Sequence, residues 1–412
     1  MSAAGDQAGR ELLETWLAQH ADAPAGPVTM LRCEVLTSGR PGLLDLVADV
    51  GGGLVHVVAG LRSVGDEPHF LHAGEETALG LWEDTDGLAV CTDALHDAQL
   101  APLLLATIRG VEARPGPVTV VRREHDVTIL DCGDRGDLIV FPWLRDRPRP
   151  SVDLLVALDE AGFNHVAAPL VRWVWEGRDL GVVQEPLAGR AGGWALALTS
   201  LRDLYASGSP PEAAGGDFGP EAQALGTMTA RMHLALDRAF PRQAESVADW
   251  VDASESAIEK SDPSLLDSPG LSDLTKSLRE SLVRMPALRT HGDFHLGRTS
   301  RTDQGWVVSD CSPGGVLEGD PEPVRRSPLC DVADLLWSMH QASMAAAAER
   351  DPAGRLGLES LGRAWERRNR RAFMSGYLGT PGIPSLTGVD RDLVRHLVAF
   401  FELARSARSA RG

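Results

Sequence analysis

The stretch Leu288 to Asp310, LRTHGDFHLGRTSRTDQGWVVSD, brings His291, Asp293, His295, Arg298 and Asp310 to one strand-loop-strand boundary. His291, Gly292, Asp293, Phe294, His295, Leu296, Gly297 and Arg298 run consecutively, and a polar turn follows from Thr302 to Gly305. The apolar run Trp306-Val307-Val308 then leads to Asp310. A turn, a short apolar run and an acid predict a short strand with a carboxylate at its tip.

Two carboxylates so placed suit phosphoryl transfer from ATP, in which one orients the acceptor hydroxyl and the other holds magnesium against the phosphates. Protein kinases carry the first in a loop, H-R-D-x-x-x-x-N, and the second at the end of a later strand. Asp293 fits the first place and Asp310 the second. Two other readings stay open at this point. His291, Asp293 and His295 alternate as the ligands of a hydrolytic metal site do, or they are polar loop residues that cap neighbouring elements.

The stretch resembles the maltokinase and glucosamine kinase group of the aminoglycoside-phosphotransferase superfamily, which reads HGDLHLGQ where this chain reads HGDFHLGR. The resemblance extends to Gln184-Glu185 in GVVQEP, to Gly193-Trp194, to the helix-like LGTMTARMHLAL (Leu225 to Leu236) and to SPLCDVADLLWSMHQA from Ser327. It implies an α+β, protein-kinase-like bilobal fold in three parts. Residues 1–110 form a β-rich cap, 111–185 a small antiparallel-sheet N-lobe with hinge, and 186–412 a mostly helical C-lobe with the catalytic loop. It further implies ATP and magnesium as cofactors and a sugar or amino-sugar as acceptor. Asp293 then orients the hydroxyl, His291 and His295 fix the loop, Asp310 holds the metal, and Gln184 and Glu185 contact adenine.

Three positions depart from that pattern. The lysine that pairs the nucleotide phosphates in working members falls on Val140, and its glutamate partner falls near Leu155. The only lysines are Lys260 and Lys276, so Arg145 or Arg122 is left to meet the phosphates. Third, Arg298 stands where a neutral amide binds metal. At an effective dielectric near 20, two like unit charges 4 Å apart repel by about 4 kcal/mol. The guanidinium instead binds a phosphate oxygen, or pairs with Asp310 and fills the metal's place. The segment after Asp310 is long, and Glu318 or Asp320 is its candidate second ligand. The departures leave two functions in view: a sugar or amino-sugar kinase, and a pseudokinase that binds nucleotide, sugar or a partner without turnover.

Composition narrows the partners. A formal net charge of -18 argues against sequence-independent binding to nucleic acid or anionic lipid, which needs clustered cations. No apolar run is long enough for a membrane span, and the N-terminus lacks a signal-peptide pattern. The cysteines, Cys33, Cys91, Cys132, Cys311 and Cys330, are scattered without C-x-x-C pairing, as expected in a reducing cytoplasm.

Along the chain, Arg10 to His20 reads as an amphipathic helix with Leu12, Leu13, Trp16 and Leu17 inward. Strands are predicted at Val28–Val35, Leu43–Val50, Leu54–Leu61 and Leu88–Cys91, and a helix from Ala94 to Gly110. Strands follow in VTVVRRE, VTILDC and GDLIVFPW, a helix from Pro148 to Gly162, and strands at Val171–Trp175 and Leu180–Val183. The tail, Arg391 to Ala410, is predicted helical, with its arginines solvated. Trp194, Trp337, His340 and Glu402 are candidate acceptor contacts; the oligomeric state is not legible.

Overall fold

The computed structural model describes residues 3–20, 24–66, 70–71, 77–124, 126–213, 216–267, 269–281, 283–311, 325–349 and 357–409. It divides into two compact units, Met1–Val152 with Ala167–Ala188, and Asp153–Val166 with Gly189–Gly412.

The first unit opens with α1 (Ala3–Ala18). Strands β1 (Val28–Thr37), β2 (Gly42–Val50), β3 (Gly53–Ser63), β4 (Ala78–Asp84) and β5 (Gly87–Asp93) form an antiparallel sheet in the order β1-β2-β3-β5-β4. After α2 (Leu100–Arg109) come β6 (Thr119–Glu124), β7 (Val127–Asp131) and β8 (Asp137–Val140). The two-residue β9 (Trp143–Leu144) turns away to pair with β3. With β10 (Pro169–Trp175) and β11 (Arg178–Gln184), the second sheet runs β10-β11-β8-β7-β6.

Strand β2 is buried on both faces, which explains its nearly continuous apolar sequence, GLLDLVADV. Successive side chains point to opposite faces. Leu44, Leu46, Ala48 and Val50 therefore meet Leu12, Leu13 and Trp16 of α1. Leu43 instead joins Leu100 and Leu104 of α2 and Leu130, Leu138 and Val140 of the second sheet.

Helix α3 (Pro150–Glu160), within which the division falls, precedes the helical second unit. There β12 (Ala191–Gly192) runs into α4 (Gly193–Ser207), followed by α5 (Gly219–Ala239), β13 (Gln243–Ser246), α6 (Val247–Ser261) and α7 (Pro269–Glu280). Strands β14 (Arg284–Arg289), β15 (Thr299–Thr302), β16 (Gly305–Val308) and β17 (Arg325–Arg326) complete two three-stranded sheets, β12-β15-β16 and β13-β14-β17. The last helices are α8 (Leu329–Ala348), α9 (Leu358–Leu378), α10 (Pro384–Thr387) and α11 (Arg391–Ser409). Helices α5 and α9 touch backbone to backbone. A Cβ on Gly226 would lie 2.1 Å from the Phe373 carbonyl oxygen, and one on Gly376 would lie 2.0 Å from that of Gln223.

Several expectations need correction. The first helix starts at Ala3 rather than Arg10. Strand β4 was not anticipated; its ALGLWED alternates buried and exposed residues only loosely. The helix expected from Ala94 is split. Buried Asp97 accepts the N–H groups of Gln99 and Leu100 through one oxygen, which ends a short 3-10 turn and starts α2. Glu318 and Asp320 lie outside the described residues. No described helix is long and apolar enough to cross a membrane, and all five cysteines are free thiols.

Candidate active site

In the second unit, β14 delivers Thr290 and His291 to the loop, and Gly292 turns it at φ 95°, a conformation that favours glycine. Phe294 and Leu296 are fully buried and anchor the segment, and the Leu296 N–H donates to Ser338 Oγ of α8 at 3.1 Å. Gly193 is a glycine for want of room. A Cβ there would come within 2.4 Å of Thr299 Oγ1 and 2.8 Å of the Leu296 carbonyl oxygen, because the start of α4 presses on the loop.

The loop backbone is held by Asp331 in the first turn of α8, whose carboxylate accepts from the N–H of His291 at 2.8 Å and of Gly292 at 3.0 Å. Behind it His233 Nε2 lies 3.2 Å from Asp331, and His233 Nδ1 lies 2.8 Å from the Tyr377 hydroxyl. With Nε2 donating to Asp331, Nδ1 accepts from the Tyr377 hydroxyl. Burial would raise the Asp331 carboxyl, but the His233 hydrogen bond and the neighbouring charges outweigh it and keep the group ionised.

His291 is fully enclosed. Its Nε2 donates to the Asp310 carbonyl at 2.7 Å, and its Nδ1 faces the Asp293 N–H at 3.4 Å. Burial pushes its pKa below the ordinary value, so it is a neutral strut between the two acidic positions. His295 caps the next turn, accepting from Gly297 N–H through Nδ1 at 3.1 Å, while its Nε2 lies 3.4 Å from Asp293.

Asp293 and Asp310, separated by a whole hairpin in sequence, share one guanidinium. Arg298 donates to Asp310 Oδ2 through Nη1 and to Asp293 Oδ2 through Nη2 at 3.2 Å. On the other oxygen of Asp293, Arg405 of α11 donates through Nη2 at 2.9 Å, and its Nε lies 3.7 Å from Asp334. Desolvation would raise the Asp293 carboxyl, yet His295, Arg405 and Arg298 together hold it well below the usual carboxylate range. Arg405 corrects one expectation, since this tail arginine turns inward. It lies more than a hundred residues from Asp293, and nothing local in RSARS marks it. His233, Asp331 and Tyr377 were likewise not singled out as site residues, because each acts through the fold.

Unspent donors remain beside these acids. Among the described residues, Arg298 Nε and Arg326 Nε and Nη2 are buried without a hydrogen-bond partner. Such orphans cost about 1–3 kcal/mol each.

The magnesium expected at Asp310 does not suit the side chains described. The Asp310 carboxylate already faces the Arg298 guanidinium, a cation in the place where the metal would sit. The hydrolytic metal site on His291, Asp293 and His295 fails as well, since both ring nitrogens of His291 are committed to the backbone.

Gln184, Glu185, Val140, Arg122 and Arg145 lie in the first unit. Gln184 is buried and donates through Nε2 to the Ala167 carbonyl at 3.2 Å. Exposed Glu185 donates its N–H to the Ala168 carbonyl at 2.9 Å, so that backbone donor is taken. Val140 points into the apolar core with Leu43, Val58 and Leu100. Directly paired residues share a sheet face, so Ile139 of β8 lies on the other face with Ile129, Val182, Arg122 and Arg172. That face therefore carries Arg122, which pairs with Glu124 at 2.9 Å. Arg145 directly follows β9, on the six-stranded sheet. Leu155 is buried on α3.

Of the proposed acceptor contacts, Glu402 is engaged by Arg370, and His340 lies 3.0 Å from Glu366 and 5.0 Å, ring to ring, from Trp337. Trp194 is half-buried at the start of α4.

Comparison with solved structures decides the fold. A glucosamine kinase in one crystal form superposes with a TM-score of 0.64 at 21% identity, covering 95% of this chain and 91% of that one. The chain has the kinase-like fold. A second structure, a glucosamine kinase in complex with glucosamine, ADP and inorganic phosphate, gives a TM-score of 0.61 at 20% identity over 95% of this kinase-like chain and 90% of that one. In sequence it is 27% identical over 389 residues to a glucosamine kinase of Streptacidiphilus jiangxiensis, covering 87% of this chain and 85% of the relative. It is 25% identical over 268 residues to one of Mycolicibacterium smegmatis, covering 60% and 64% respectively. No protein-family model matches the chain. The α+β kinase-like fold expected from HGDFHLGR is the one observed.

Proposed function

We propose that this chain transfers the γ-phosphoryl group of ATP to a hydroxyl of a sugar or amino-sugar, with Asp293 orienting the acceptor. The observation that carries this reading is the clamping of the Asp293 loop, through two backbone N–H groups, by the buried Asp331 carboxylate. A loop held by backbone contacts keeps one carboxylate aimed regardless of which side chains surround it, which suits a reaction governed by positioning. The relatives named glucosamine kinase support the acceptor class.

A carboxylate has about four acceptor sites. Arg298, Arg405 and His295 occupy three on Asp293, leaving room for one acceptor hydroxyl. Because the carboxyl is held far below its ordinary range, Asp293 is a weak base and acts by orientation. The bond from the γ-phosphorus to ADP breaks as the bond to the sugar oxygen forms. The hydroxyl proton passes to the phosphoryl oxygens and, because the product's second pKa is about 6, is released to water at neutral pH.

One observation favours a second reading, a pseudokinase: Arg298 joins both acids while no lysine lies in the first unit. A single experiment separates the two. Purified protein is incubated with ATP and a panel of sugars and amino-sugars, and ADP release is followed. Turnover on any acceptor, falling about 10²-fold in Asp293→Asn, supports the kinase. No ADP release over the whole panel leaves the pseudokinase.

A further inference from the structure

A kinase-type site needs positive charge against the nucleotide phosphates, and this chain already holds one beside Asp310. We propose that Arg298 replaces the divalent cation, so that the chain holds the phosphates of a nucleoside di- or triphosphate without a metal ion at Asp310. The inference rests on the kinase reading for its ligand, but the geometry behind it does not.

Arg298 is the cation between the two acids. One terminal nitrogen faces Asp310 and the other Asp293 at 3.2 Å, which ties the acids together as a bridging metal would. Its position is fixed by the backbone as well. The Arg298 N–H donates to the His295 carbonyl at 2.9 Å, and its own carbonyl accepts from the Ser309 N–H at 2.9 Å, beside Asp310. The side chain is largely buried, so removing the guanidinium to admit an ion would leave it without solvent to move into. A guanidinium is a planar fork that matches phosphate oxygens through paired N–H bonds. Arg298 Nε has no partner among the described residues, and neither do Nε and Nη2 of Arg326. Arg326 also lies close enough to Asp293, Asp331 and Asp334 to feel their charge. These are buried donors without acceptors, and phosphate oxygens are acceptors. The carboxylates remain to offset the charge, and no bond is made or broken in the exchange.

The test uses the whole chain and two probes. Mn²⁺ is titrated in the absence of nucleotide while the free-ion paramagnetic resonance signal is followed, and ADP is titrated calorimetrically in magnesium and in a chelator. The wild type is expected to leave the Mn²⁺ signal at its free value and to bind ADP within about twofold in the two buffers. Arg298→Gln is expected to take up one Mn²⁺ per chain, and Arg298→Lys, which keeps the charge, none. Uptake by the wild type that Asp310→Asn abolishes overturns the proposal, as does an approximately tenfold or greater tightening of ADP by magnesium. Should ADP fail to bind in either buffer, the kinase reading falls, while the Mn²⁺ uptake of wild type against Arg298→Gln still decides for or against a cation held by Arg298.

Discussion

Asp293 shows how much of a residue's chemistry comes from partners remote in sequence. Its place in HGDFHLGR singles it out as the candidate acid for the acceptor, but its charge state depends on Arg405, which arrives from the last helix to within 2.9 Å. Hydrogen bonds to charged groups contribute about 1.5–3 kcal/mol. Arg405→Gln is therefore expected to destabilise the protein by about 2 kcal/mol, read as a lowered denaturation midpoint. An unchanged midpoint would mean that the contact contributes nothing. Arg298 was legible as a departure, and pairing with Asp310 was among its expected outcomes. Its simultaneous hold on Asp293 was not, because the distance between the two acids depends on how the hairpin of β15 and β16 folds back. Val140 was legible as the loss of a cation, whereas its direction, into the core rather than onto the face that carries Arg122, belongs to the sheet register.

Elements were legible wherever their own periodicity carried the signal. The alternation or apolar continuity of β2, β3, β7 and β8 and the amphipathic face of α1 needed no outside information. Boundaries set by a single buried group were not, as Asp97 shows at the start of α2. The approach of α5 to α9 is another case. Gly226 and Gly376 read as weak points in helices, yet both are sites where one backbone lies on another. Gly226→Ala would gain about 1 kcal/mol in helix propensity on an isolated helix. In this fold its Cβ meets the Phe373 carbonyl, so a net destabilisation of about 1–3 kcal/mol is expected from denaturant unfolding. A variant as stable as wild type would mean that the two helices separate easily.

At the scale of the whole molecule, buried titratable groups shape the response to pH. Burial lowers the pKa of His291 and His165 in the folded chain, so below about pH 6.5 the unfolded chain takes up protons that the folded chain resists. Burial raises the thiol of Cys33 to about 11 and those of Cys91 and Cys132 to about 12. Their contribution is complete below the unfolded thiol pKa of about 8.5 and is lost as pH rises from there through the folded values. The melting temperature is thus expected to be flat between about pH 6.5 and 8.5 and to fall on both sides. His165→Gln should soften the acid limb, and a wild-type curve without one would contradict these assignments. The sequence by itself determined the kinase-like fold class, the two acids of the loop, the missing lysine and most of the strands and helices, since each is a local pattern of burial, turn chemistry or spacing. Only the tertiary structure decided which cations hold Asp293, that Asp331, His233 and Tyr377 support the loop in series, and that a guanidinium stands between the two acids. Those facts depend on distances between segments far apart in the chain, which are fixed by packing the helices and sheets together rather than by any one segment's pattern.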